Sequence, residues 1–110
     1  SDVAEIRVEV VETAQHYQVQ AELAGVKKDD IQVQVDGNRV SISAEVRRAA
    51  EPRDGERLLR SERFYGSMAR SFTLGSELDE QAVQARFDNG VLTLTLPKKQ
   101  PPAARRITIQ

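Results

Sequence analysis

Apolar residues recur at every second position through most of this 110-residue chain, and that period constrains its fold more than any other feature. Successive side chains of a β-strand point to opposite faces, so a period of two marks a strand with one buried face. Each apolar face must be covered by a second sheet. The pattern predicts an all-β, immunoglobulin-like sandwich of about 7–9 antiparallel strands.

Turn residues separate the alternating segments, which cover residues 6–10, 17–23, 31–35, 40–46, 68–74, 83–87 and 92–96. Asp36-Gly37-Asn38 is expected to be a tight turn. Asp88-Asn89-Gly90 is expected to be a hairpin turn, because Asn-Gly readily adopts the positive φ angles of a type I′ turn. A helix N-cap pattern at residues 76–79 predicts a single helical turn before Val83.

The segment 47–63 is long and highly charged, and it contains Pro52 and the step Asp54-Gly55. A loop of this length in a small domain is more often functional than accidental. Its far end, residues 58–63, is predicted to form one short strand. The expected organisation is one domain at 1–98 followed by a flexible extension at 99–110. Because the chain starts at Ser1 without a methionine, we expect that a preceding segment was removed.

Composition argues against most catalytic and nucleic-acid-binding functions. The 16 basic and 17 acidic side chains give a net charge of −1, which provides no field to attract DNA or RNA. Cysteine is absent, which excludes thiolate chemistry and fits the cytoplasm. His16 is the only histidine and is interpreted as a surface residue. We therefore expect no catalytic residue, metal, cofactor or small-molecule substrate.

The remaining acidic and apolar patterns have plain structural interpretations. Carboxylates at 29–30 and 77–80 lie in polar turns, where they are expected to stay solvated rather than act as a glycosidase pair. The glycines are spread singly and form no phosphate-binding loop. No run of 18 apolar residues could cross a membrane.

Several motifs give the chain a resemblance to the small heat-shock proteins, in particular to the α-crystallin domain of the bacterial and plant type. Residues 85–92 (ARFDNGVL) match that family's A-x-x-x-N-G-V-L signature, and Ile107-Thr108-Ile109 matches its I/V-x-I/V tail motif. Residues 62–74 resemble its E-R-x-x-G-x-F-x-R-x-F-x-L block, and residues 22–26 its E-L-P-G-V turn. The chain departs from the family at Met68, where Phe is usual, and at Ala24 and Gly75, where Pro is usual.

This resemblance implies an ATP-independent chaperone, or holdase, that binds partly unfolded client proteins. It also implies a dimer formed by strand exchange and a higher homo-oligomer held by a tail-in-groove contact. The exchanged strand would contain Leu58, Leu59, Arg60, Ser61, Glu62 and Arg63, and the receiving edge would contain Ile6, Val8 and Val10. The tail residues Ile107 and Ile109 would enter a groove lined by Ile31, Val33, Val35, Val83, Ala85 and Phe87.

Less demanding interpretations of the same segments stay open at this point. Leu58 and Leu59 could lie on their own sandwich, and Ile107 and Ile109 could be a frayed end or fold back onto their own groove. Two other functions are also considered. A co-chaperone adaptor resembling the p23 and CS domains would lack both the charged loop and the isoleucine tail. A carbohydrate-binding sandwich is disfavoured because the chain has no tryptophan.

Overall fold

Two stacked four-stranded sheets form the protein, as seen in a computed structural model. The structure describes residues 3–46, 53–57, 59, 66–100 and 107–110. The strands are β1 (Val3–Glu5), β2 (Val8–Glu12), β3 (His16–Glu22), β4 (Ile31–Asp36), β5 (Arg39–Val46), β6 (Gly66–Thr73), β7 (Gln84–Asp88) and β8 (Val91–Pro97). The predicted all-β sandwich is confirmed. The strand predicted at 58–63 lies outside the described residues, apart from Leu59.

The first sheet has the strand order β1-β6-β5-β4, and the second has the order β2-β3-β8-β7. Their inner faces enclose the core, and every fully buried side chain among the described residues is apolar. The buried residues are Ile6, Tyr17, Val19, Ala21, Leu23, Val26, Val40, Ile42, Ala44, Leu78, Leu92, Leu94 and Leu96. The alternation of the sequence predicted these inward positions, because one face of each strand is apolar.

The first predicted strand, residues 6–10, is divided between the two sheets. β1 pairs with β6 in the first sheet, and β2 pairs with β3 in the second. The chain crosses between them at Ile6, whose side chain is fully buried and whose N–H donates to the Ala69 carbonyl (3.1 Å). The β1–β6 pair is parallel, an exception to the antiparallel pairing that was predicted.

The predicted helical turn exists, but its predicted cap is wrong. A 3-10 turn spans Glu80–Ala82, and Asp79 occupies its N-cap without a capping hydrogen bond from its side chain. Ser76 instead donates its backbone N–H to the Tyr17 hydroxyl (3.1 Å). A second 3-10 turn, Lys28–Asp30, leads into β4. Both turns lie where the chain passes from one sheet to the other.

The hairpin between β7 and β8 depends on positive φ angles at Asn89 (50°) and Gly90 (78°), which confirms the predicted Asn-Gly turn. Gly90 is also in close contact with an earlier part of the chain. Its carbonyl accepts the Leu23 N–H (2.7 Å), and a Cβ at this position would lie 3.3 Å from the Cα of Ala24.

We expect Gly90→Ala to lower the free energy of unfolding by about 1–2 kcal/mol, because it adds a strained φ angle and a crowded contact. Gly55→Ala is the matched control: it also has a positive φ (84°), but a Cβ there would meet nothing within 4 Å. Denaturant unfolding of both variants measures the difference. An equal loss in the two variants would show that the contact with Ala24 contributes nothing.

Candidate functional site

The edge strands β4 and β7, with the residue just before β7, carry the apolar residues that were predicted to line a groove. The two strands belong to different sheets, and each is the last strand of its sheet. The Gly37 N–H, just after β4, donates to Glu80 Oε1 (2.7 Å), just before β7. This contact places the turn after β4 beside the 3-10 turn that precedes β7.

The apolar side chains along these two edges form the surface that we call the β4/β7 groove. Ile31, Val33 and Val35 of β4 are half-buried and pack against the core. Val83 and Phe87 do the same from the opposite side, whereas Ala85, which lies between them, is exposed. Five of the six residues predicted to line a groove thus pack against the core along these two edges, and the sixth, Ala85, is small and exposed. That a tail or client occupies the surface between them stays a prediction.

The tail motif carries two of the most exposed large apolar side chains of the described residues. Ile107 is 80% exposed and Ile109 is 94% exposed. Isolated exposed apolar residues are common, but two large ones on the same side of an extended segment form a compact apolar surface. In the structure neither isoleucine contributes to the core of its own domain.

A second open surface is the outer edge of β2, the first strand of the second sheet. Among the described residues no strand pairs with this edge. Antiparallel pairing alternates residues that bond to the neighbouring strand with residues whose backbone groups point away. Hydrogen bonds from Thr13 N to His16 O (2.8 Å) and from Glu22 N to Arg7 O (3.1 Å) determine this alternation.

The alternation leaves the N–H and C=O groups of Val8, Val10 and Glu12 directed outward. Val10 is 41% exposed although it lies on the inner face of its strand, so the edge is also apolar. Ile6 precedes this edge, because its N–H is already bonded within the first sheet. Of the predicted exchange strand the structure describes only Leu59, which is 81% exposed.

The histidine and the carboxylates that the sequence analysis considered for catalysis are either exposed or bonded within the domain. His16, the first residue of β3, is half-buried, and its Nδ1 lies 3.2 Å from Thr13 Oγ1. Glu77 and Asp79 are exposed, and Glu80 accepts the Gly37 N–H. No group of three or more possible metal ligands occurs within the ranges that the structure covers.

Sequence reasoning missed one polar contact near the start of the tail. The Nζ atom of Lys98 lies 2.7 Å from Glu12 Oε2, although the two residues are 86 positions apart. The hydrogen bond from Lys98 holds the pKa of the Glu12 carboxyl below its usual value, so Glu12 is ionised at neutral pH. Neither residue belongs to a motif, and a contact between distant surface charges has no local sequence signal.

The described residues thus form an all-β sandwich of two four-stranded sheets with exposed apolar side chains on the β2 edge and in the tail. The Hsp20/alpha crystallin family profile matches residues 9–110, which is nearly the whole chain. The chain therefore belongs to the Hsp20/alpha-crystallin family, as its sequence motifs predicted. Membership in this family confirms that it is not an enzyme.

Individual relatives agree with this assignment. Small heat shock protein C4 of Rickettsia felis is 35% identical over 103 residues, covering 94% of this chain and 63% of that protein. The structure of heat shock protein 16.0 from Schizosaccharomyces pombe has a TM-score of 0.73 at 34% identity, covering 98% of this chain and 77% of that one. A small heat-shock protein from Xylella fastidiosa has a TM-score of 0.73 at 33% identity, covering 96% and 95%.

The chain thus spans less than two thirds of the length of the Rickettsia felis relative. Its similarity to known small heat-shock proteins extends over the sandwich and the tail motif. None of the helices in the described part of the chain is long and apolar enough to cross a membrane.

Proposed function

We propose that this chain is the α-crystallin domain and tail of an ATP-independent holdase, which binds partly unfolded client proteins and prevents their aggregation. The observation that carries the proposal is a β2 edge that no described strand pairs with, in the same folded domain as the apolar residues of the β4/β7 groove. Unfolding proteins expose extended apolar segments. An edge offers them backbone hydrogen bonds, and a groove offers them apolar contacts.

Folded proteins normally protect such edges and apolar patches, because they promote aggregation. In this chain 30% of all residues are charged, and the numbers of basic and acidic residues are nearly equal. A mixed, strongly charged surface keeps a complex with an unfolded segment in solution. Membership in the Hsp20/alpha-crystallin family supports the holdase and does not favour the p23-like adaptor.

Self-association is the second part of the proposal. We infer that two chains exchange the strand at 58–63 onto each other's β2 edge, and that Ile107 and Ile109 enter the β4/β7 groove of another dimer. The outward amides of β2 support the first contact, and the exposure of both isoleucines supports the second. The Xylella fastidiosa protein has a distinct high order structure. The cytoplasm is the proposed compartment, since the chain has no cysteine to oxidise.

A heat-labile client protein tests the holdase function directly. We expect this chain to suppress client light scattering at sub-stoichiometric to equimolar ratios, equally with and without ATP. A folded β-sandwich of similar size without open edges is the control for crowding and surface adsorption. Unchanged scattering at a molar excess of the chain, with the domain still folded, would overturn the proposed activity.

A further inference from the structure

The first two residues after β8, Lys98 and Lys99, are bonded to the sandwich rather than free; we call them the tail root. The Lys98 N–H donates to the Gln15 carbonyl, and the Lys99 N–H donates to the Glu77 carbonyl, both at 2.8 Å. Lys98 also forms an isolated antiparallel bridge with Leu78. The tail therefore leaves the domain after Lys99 and not at the end of the strand.

The side chain of Lys98 is held by two further contacts. Its Nζ atom lies 2.7 Å from Glu12 Oε2 and 5.1 Å from the centroid of the Tyr17 ring. Only 17% of the Lys98 side chain is exposed, whereas lysine side chains usually extend into solvent. An ammonium group over an aromatic face is attracted to the ring as well as to the carboxylate. The Tyr17 ring is fixed in turn, because its hydroxyl accepts the Ser76 N–H (3.1 Å).

Glu12 connects the tail root to the edge of β2. It is the last residue of that strand, and its backbone groups are among those directed outward. Its side chain points to the inner face, opposite Tyr17, and there meets Lys98. One residue thus joins the surface proposed to receive a partner strand to the point from which the tail starts.

We propose that Glu12 and Lys98 are positioning residues, and that their contact sets where the tail emerges and couples the β2 edge to the tail root. The consequence for assembly rests on the proposed tail-in-groove function. With the root held, residues 100–106 form the tether between the domain and Ile107. At about 3.3–3.6 Å per extended residue, such a tether reaches at most about 25 Å.

Release of the root would lengthen this tether by two residues and let it leave in many directions. Effective concentration is highest when the length of a tether matches the distance to its binding site. If the held tether matches the distance to the groove, a longer and less directed tether lowers the effective concentration of the isoleucines there. Pairing of a partner strand along β2 would order Glu12 and strengthen the contact with Lys98. Dimer formation would thereby direct the tail before it engages a neighbouring dimer.

Hydrogen exchange at the tail-root amides, followed by mass spectrometry, tests the contact. The measurements use the full chain carrying Ile107→Gly and Ile109→Gly, so that assembly through the tail does not itself protect these amides. We expect Glu12→Gln to raise the exchange rate of the Lys98 and Lys99 amides about three- to fivefold. A change of this size corresponds to the stabilisation that a partly exposed ion pair provides. Glu9→Gln is the matched control, since Glu9 lies on the opposite face of β2 and should change nothing.

Two Lys98 variants separate positioning from a general structural role. Lys98→Arg keeps the charge and should keep most of the protection, whereas Lys98→Met keeps the apolar stem and should lose it. Unchanged exchange in Glu12→Gln and Lys98→Met would overturn the proposed contact. Unchanged tail-root exchange when dimer and monomer are compared would overturn the coupling. Because neither readout involves a client, a failed holdase assay would leave this proposal standing.

Discussion

Replacing both Ile107 and Ile109 by glycine is expected to abolish assembly beyond the dimer while leaving the domain folded. Burial of each isoleucine is worth about 1.5–3 kcal/mol, part of which is lost in ordering the tail. A single tail contact would then have a dissociation constant of roughly millimolar to tens of micromolar, and only several together hold an assembly. Sedimentation velocity measures the loss of assemblies larger than the dimer. The thermal transition should stay within about 2 °C, because both residues lie outside the core.

Variants on both sides of this contact sharpen the test. Thr108→Gly is the control in the tail, since it changes the residue between the two isoleucines and leaves both in place. Ala85→Glu introduces a charge at the exposed middle of the β4/β7 groove and should reproduce the loss of assembly. Assemblies of unchanged size in both the double-glycine and the Ala85→Glu chains would contradict the tail-in-groove contact.

Val10→Pro should convert the dimer to a monomer, since it removes an outward N–H from the middle of the β2 edge. Proline is tolerated on an edge strand where its missing N–H faces away from the neighbouring strand. The bonds between β2 and β3 are then preserved, and the fold should survive. A two-fold dimer contains the altered edge twice, so we expect the dissociation constant to rise by about two orders of magnitude. Analytical ultracentrifugation over a concentration series gives the constant.

The dimer prediction has a control on the same residue and a counterpart on the exchanged strand. Val10→Thr keeps the backbone N–H and the β-branched shape, so it should still dimerise. Deletion of residues 58–63 should produce the same monomer from the other side of the contact. If Val10→Pro unfolds the domain, that deletion alone decides the question. A deletion variant that still forms dimers would refute strand exchange.

Local patterns were sufficient to predict most of the strands and their buried faces. In β3 and β8, alternation identified Val19 and Leu94 as inward residues, and both are fully buried. The turn at Asn89-Gly90 was predictable because few residue pairs adopt its backbone angles easily. Groove residues such as Val33 and Phe87 were predicted through the family resemblance, and in the structure they lie on or beside the last strands of the two sheets and pack against the core.

Other features have no local signal. The alternation from Ile6 to Val10 continues without interruption, yet the chain changes sheets at Ile6. Only the fit of the Ile6 side chain into the core and its bond to Ala69 select that crossing. The parallel pairing of β1 with β6 is equally invisible, because alternation reports which face is buried and not which strand is the neighbour.

The sequence by itself determined the all-β class, the inward face of almost every strand, the hairpin turns and the kinship with the small heat-shock proteins. The first three follow from side-chain periodicity and backbone preference, which act over a few residues, whereas the kinship follows from the resemblance of sequence motifs. Only the tertiary structure decided that the Gly37 N–H meets Glu80, which amides of β2 point outward, and that Lys98 meets Glu12 and Tyr17. Those contacts join distant segments, and they form only when the two sheets close on one core.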